Sequence, residues 1–391
     1  MKKNLVVPLL FLVLMVACGN LVELLRTSSR VTPAQKRILK LLPKRSVIAH
    51  RGTTYWAPEE TEAAMRWARN TGADYLEFDL QRTKDGFLIA IHDDNLLRTT
   101  DIDQKFPDRK NLPVSSFTYA ELMTLDAGTW FNKKYPGRAK PSFSFLDILT
   151  LEDIVQIAEG KRIKRDENGK RIHTTINGTW TNVYEHDPMD NGNRPGIYIE
   201  TKVPDMFPGI EEDLKRELIR LEWQGNKKAI STQKGKVSTA NTDTRVILQT
   251  FSKESLKKLH ANFGDSVPIC FLLWLGIEPD DLPEDIPLTY KKHVESAISN
   301  GASIIGPSIS GEPNNYSNLL TPQHAEIIHE TGAYIHAYSF DTKKQLLQFA
   351  PIVDGVFSNK SEEALLIYKH QNTSRVDSSL IALQTLRQLG Y

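Results

Sequence analysis

Eight short apolar runs constrain this chain more than any other feature. They begin near residues 46, 75, 197, 246, 267, 302, 334 and 353, and most are followed by an amphipathic, helix-forming stretch. Short apolar runs that end in polar residues read as buried strands. Strands that alternate with helices make a parallel sheet, and eight such units close into a TIM-type (β/α)8 barrel with its site at the strands' C-terminal ends. A long open α/β sheet is the alternative, but no Gly-rich phosphate loop supports one. The length of 391 residues and the apolar share of 40% suit one barrel with insertions.

The additions to that frame can be placed. Residues 1–18 carry Lys2 and Lys3, then an apolar run from Leu5 to Val16 that is short for a membrane span, and are read as an export signal. Leu14-Met15-Val16-Ala17-Cys18-Gly19 resembles the bacterial lipoprotein signal, which implies a lipidated Cys18 and an exported, membrane-anchored protein of the cell envelope. With Cys18 acylated, Cys270 in its apolar run is expected to be a buried core thiol. Residues 19–44 are a tether and a short helix with Thr32 as N-cap and Pro33 at its first position. The barrel is assigned to 45–360, with a β-rich insertion at 161–193, marked by three Asn-Gly turns, and a polar, flexible loop at 226–244. A helical extension occupies 361–391. Net charge is +1 with both signs interspersed, so nothing points to a nucleic-acid partner, and no pattern sets an oligomeric state.

The second run adds a hairpin after its strand. Alternation from Tyr75 puts Glu77 and Asp79 on one face, and Asp85-Gly86 suits a two-residue turn. Counting outward from that turn places His92 directly opposite Asp79. Elsewhere Ser46-Val47-Ile48-Ala49 delivers His50 and Arg51, and Ile197-Tyr198-Ile199 delivers Glu200 and Lys202, to strand ends. Three carboxylates without thiols suit a hard divalent cation, Ca²⁺ or Mg²⁺; two imidazoles suit an acid and a base; Arg51 and Lys202 suit an anion held beside the metal. Together these suggest phosphodiester cleavage.

His50-Arg51-Gly52, Pro58-Glu59-Glu60-Thr61, Gly72-Ala73-Asp74 before Glu77 and Asp79, Thr83 with Asp85-Gly86, His92-Asp93 with Arg98-Thr99-Thr100, Glu200-Thr201-Lys202 and Asp354-Gly355-Val356-Phe357-Ser358-Asn359 closely resemble the glycerophosphodiester phosphodiesterases. The resemblance spans residues 46–360. It implies metal-dependent hydrolysis of glycerophosphodiesters to sn-glycerol 3-phosphate and an alcohol, through a cyclic phosphate formed by the neighbouring glycerol hydroxyl. It implies His50 and His92 as the acid/base pair, Glu77, Asp79 and Glu200 on the metal, and Arg51, Lys202 and Tyr338 at the substrate. Glu60 stands where that family usually has Asn, Tyr338 where it often has Trp, and Asn359 where it often has Asp; none of the three is expected to touch the metal or the imidazoles. The 95–141 loop and the 161–193 insertion are expected to shape the substrate pocket. A lipid-head-group phosphodiesterase on the same barrel, or a non-catalytic phosphodiester-binding protein, are the competing readings.

Overall fold

The computed structural model of the protein describes residues 29–176, 179–369 and 377–391. Its centre is a closed ring of eight parallel strands: β1 (Ser46–Ala49), β2 (Tyr75–Arg82), β3 (Gly196–Thr201), β4 (Val246–Thr250), β5 (Ile269–Leu273), β6 (Ile304–Pro307), β7 (Tyr334–Ala337) and β8 (Gly355–Ser358), with β8 pairing back to β1. The barrel expected from the apolar runs is therefore the fold.

Period two explains how these strands serve both the core and the cleft. Outward positions such as Val47, Leu76, Phe78, Ile197, Ile199, Leu248 and Ile305 are buried against the surrounding helices. Inward positions begin apolar, with Ile48, Tyr75, Tyr198, Ile247, Cys270 and Ile304 filling the interior. Two residues further along the same face, each strand reaches the open end, where His50, Glu77, Glu200 and Gln249 stand. Cys270 is fully buried, as its apolar run implied.

The other end is closed. Helix α1 (Pro33–Leu39) starts at Thr32, whose hydroxyl accepts from Gln35 N in a capping box, with Pro33 at the first position. Leu39 and Leu42 enter the barrel's interior cluster. Thr32 Oγ1 donates to Asp265, Gln35 Nε2 to Gly301 O, and Val31 N to Thr331 O, all in loops that precede strands. Residues 1–28, and with them the export-signal and Cys18 readings, lie outside the described residues.

The hairpin register differs from the expectation. Thr83 N donates to Phe87 O at 2.9 Å, so the loop holds three residues, Lys84-Asp85-Gly86, with Gly86 at φ +94°. A three-residue loop closed by a left-handed glycine is as compatible with Asp-Gly as the two-residue turn, and here Thr83 Oγ1, accepting from Phe87 N and donating to Asp85, closes it. Leu80 then pairs with Ala90, and Ile91, not His92, lies opposite Asp79. His92 comes after the last paired residue, so strand alternation no longer governs where its side chain points.

The 161–193 insertion is a β excursion, pairing Lys161–Ile163 with Tyr184–His186 and His173–Ile176 with Thr179–Asn182. The Asn177-Gly178 turn lies outside the described residues. Arg66 and Arg69, from the helix Glu62–Thr71, bind Asp187 at 2.8 and 2.5 Å and tie the excursion to the barrel's flank. The 226–244 segment is irregular and held to it by Thr232 Oγ1 donating to Gly192 O. Ser361–Lys369 follows β8 and completes the ring of helices around the barrel, and Ser378–Leu389 packs on Glu62–Thr71, where Trp67 Nε1 donates to Ala382 O.

Candidate active site

A cleft of about 250 Å³ opens at the C-terminal ends of the strands. His50, Arg51, Glu77, Asp79, His92, Glu200, Lys202 and Tyr338, the residues singled out in the sequence, all line it. Among the described residues, none of the 95–141 loop or the 161–193 insertion lines the cleft, where both were expected to shape it. The loop instead acts behind it through Arg98, which grips Glu59 and Asp93.

Glu77, Asp79 and Glu200 each present an oxygen within 4.8 Å of the others. Strand register causes this: Asp79 on β2 pairs with Glu200 on β3, and Glu77 shares the inward face of Asp79. Glu77 accepts from Arg51 N at 2.7 Å and from Gln249 Nε2 at 2.8 Å. The first contact needs the sharp turn after β1, where Arg51 sits at φ +52° and Gly52 at +74°. A Cβ at Gly52 would come within 2.8 Å of the Ala64 backbone, so only glycine fits.

Three buried carboxylates this close repel one another, and the charges around them divide unevenly. Burial and the Asp79 charge push Glu77 well above the usual carboxylate range. Burial and Asp79 likewise push Glu200 up to about 7, against the pull of Lys202. Asp79 goes the other way: burial opposes its charge, but Lys202, the two imidazoles and Arg51 outweigh burial and hold it low. Lys202 Nζ stands 3.1 Å from Glu200, 3.6 Å from Asp79 and 3.2 Å from His92 Nε2. Burial works against the Lys202 ammonium, but Glu200 and Asp79 more than compensate and raise its pKa. Arg51 Nε lies 3.2 Å from Asp79, and its Nη1 donates to Glu59 at 3.0 Å.

The two imidazoles are held differently. His50 Nδ1 is 2.7 Å from Asn359 Oδ1, while Asn359 Nδ2 donates to Asp341 at 2.8 Å. Because the Asn359 amide nitrogen is engaged by a carboxylate, its oxygen faces His50, which fixes the proton on Nδ1 and leaves Nε2 with its lone pair. Burial and the neighbouring Arg51 push His50 down to about 3, so it is neutral. His92 Nδ1 lies 2.7 Å from Asp93 Oδ1. Asp93 is held well below the usual carboxylate range, since the bonds from His92 and Arg98 outweigh the opposing effect of its burial.

Two of the departures from the family pattern touch the site after all. Asn359 is the direct partner of His50, and Glu60 Oε1 accepts from the backbone N of Asp79 at 2.7 Å. Both contacts link segments far apart in sequence or pass through the backbone, where side-chain spacing gives no hint. Tyr338 donates its hydroxyl to Leu273 O at 2.7 Å and presents its ring to the cleft. It is one link in an apolar wall with Phe251, Tyr316 and Trp274, ring centroids 5.2 to 6.1 Å apart. Sequence reading passed over those three and Gln249; a lone Gln in the apolar run Val246-Ile247-Leu248 was the available signal.

A barrel whose mouth gathers three carboxylates, two imidazoles and two fixed cations is built for hydrolysis of an anionic ester. The glycerophosphoryl diester phosphodiesterase family profile matches residues 50–192. A Bacillus subtilis glycerophosphodiester phosphodiesterase is 30% identical over 316 residues, covering 80% of this chain and 82% of that protein. Among solved structures, a glycerophosphodiester phosphodiesterase from Agrobacterium tumefaciens shares the fold at a TM-score of 0.50 and 21% identity, covering 82% of this chain and 98% of that one. An Oleispira antarctica phosphodiesterase, solved with the product sn-glycerol-3-phosphate, shares it at 0.51 and 18%, covering 82% and 95%. The chain belongs to the glycerophosphodiester phosphodiesterase family and is an enzyme of that class.

Proposed function

We propose that the enzyme hydrolyses glycerophosphodiesters to sn-glycerol 3-phosphate and an alcohol with a divalent cation and a histidine pair. The observation that carries this reading is the convergence of His50 and His92 with Glu77, Asp79 and Glu200 on one cleft. The residues fit a hard cation. Asp79 Oδ2 is buried without a hydrogen bond, though Arg51 Nε stands 3.2 Å away, and burial together with the Asp79 charge raises Glu77 and Glu200 despite the nearby cations. All-oxygen donors suit Ca²⁺ or Mg²⁺. When bound, the cation supplies Lewis-acid charge to the phosphate oxygens.

The chain's own groups do the rest. Lys202 and Arg51 hold the phosphate's remaining charge. His50, neutral with a free Nε2, takes the proton from the glycerol hydroxyl beside the phosphate, whose oxygen then attacks phosphorus. The P–O bond to the alcohol breaks, and His92, backed at Nδ1 by Asp93, gives the leaving oxygen a proton. Water opens the resulting cyclic phosphate by the reverse transfers. The apolar wall of Phe251, Trp274, Tyr316 and Tyr338 receives the non-phosphate portions of the diester.

Chelation tests the cation: treatment with EDTA should abolish release of choline or ethanolamine from glycerophosphocholine or glycerophosphoethanolamine, and Ca²⁺ or Mg²⁺ should restore it. Full activity after exhaustive chelation would refute the reading. We infer, too, from Lys2, Lys3 and the Leu14–Cys18 stretch, that the enzyme is exported and lipid-anchored. Incorporation of labelled palmitate into the wild type and its loss in C18A checks this.

A further inference from the structure

We propose that Gln249 is a fourth protein ligand of the cation, contributing its amide oxygen, while its amide nitrogen fixes Glu77. The proposal rests on the cation reading above and adds a residue to it.

Gln249 stands on β4 in register with Glu200 on β3, which is itself in register with Asp79 on β2. Three adjacent strands thus present Asp79, Glu200 and Gln249 along one row, with Glu77 beside them. Gln249 Nε2 donates to Glu77 Oε1 at 2.8 Å. A Glu77 that ligates the cation is ionised and can only accept, so the amide faces it with its nitrogen, and the oxygen is the end left over. That oxygen is buried with no hydrogen-bond partner, in a residue only 1% exposed that lines the cleft. A buried carbonyl left unsatisfied is costly, so its persistence beside a metal seat calls for a partner supplied by the ligand.

Charge explains why an amide belongs there. Three carboxylates already exceed the charge of a divalent ion, and Lys202 is drawn in to offset the surplus. A fourth carboxylate would deepen the repulsion that raises Glu77 and Glu200; a neutral oxygen adds coordination without charge. Ca²⁺ takes six to eight oxygens and uses Gln carbonyls readily.

Terbium, a luminescent stand-in for Ca²⁺, gives a readout independent of turnover. Its affinity is measured by titration, and its inner-sphere water count by comparing emission lifetimes in H₂O and D₂O. Q249M, which keeps the length of the side chain, and Q249L should each bind terbium at least tenfold more weakly, with one additional bound water. An unchanged water count in variants that melt like the metal-free wild type would overturn the ligand assignment, even if affinity fell, because a role confined to steadying Glu77 lowers affinity without opening a coordination position. Failure of the wild type to bind terbium or Ca²⁺ would overturn the cation reading itself, a distinct result. Should both variants unfold, Q249N, whose shorter amide cannot reach the same point, must show the extra water or the assignment fails.

Discussion

His50 and His92 face the same cleft from opposite histories. His50 follows barrel strand β1 and meets a neutral amide at Nδ1; His92 follows a hairpin and meets a carboxylate; both rings are half-buried. An amide oxygen fixes a tautomer without adding charge, whereas a carboxylate steadies an imidazole that carries a second proton. On the mechanism proposed above, the difference would separate a base from an acid in a site where residue type alone makes them equivalent.

The most severe way to break this comparison is to remove each ring. H50A should lower kcat/KM about 1,000-fold for every diester, the scale of a lost proton-transfer group, with the fold retained by circular dichroism. H92A should match that loss on glycerophosphocholine but recover most of it on a diester with a nitrophenol leaving group, which needs no proton to depart. Equal rescue of H50A would erase the division of labour.

A milder pair exchanges the two environments. N359D places a carboxylate against His50, raises its pKa from about 3, and so moves the acid limb of kcat/KM to higher pH, because the base must be free of its proton. D93N should slow glycerophosphocholine more than a nitrophenyl diester, since the ring that serves the leaving oxygen loses its partner at Nδ1. Each should cost roughly tenfold at neutral pH, the scale of one charge-assisted hydrogen bond; pH–rate profiles decide the first and rates on the two diesters the second.

The smallest effect concerns the carboxylates that both histidines face. Glu200 in the metal-free protein is raised from 4.5 to about 7, so its contribution to stability is fully present below 4.5 and is lost as pH rises through 7. Cation binding must displace that proton, so affinity should strengthen over the same interval. Melting curves with and without Ca²⁺ at pH 5.5 and 8 should show the metal-induced shift growing with pH.

Much of this was legible in the chain. The eight apolar runs and their polar ends marked the strands, because a strand buried on both faces must be apolar until it reaches the mouth. Capping at Thr32 was equally readable, since its contacts span three residues. The hairpin register was not: Asp85-Gly86 serves loops of two or three residues, and the choice rests on the Thr83 hydroxyl. Nor was the hold of Asn359 on His50, which joins residues 309 apart. The aromatic wall was missed because Trp274 and Tyr316 stand beyond the ends of β5 and β6, outside the strand pattern.

Helix α1 plugs the barrel floor, and the polypeptide enters the molecule there. Any leash carried by the residues ahead of Ser29 would grip the enzyme by its heel. Ten tether residues stretch at most about 35 Å, well short of the way around a globule of this size to its other pole. A diester would then have to come from the surrounding water, not from the surface to which the leash is fastened.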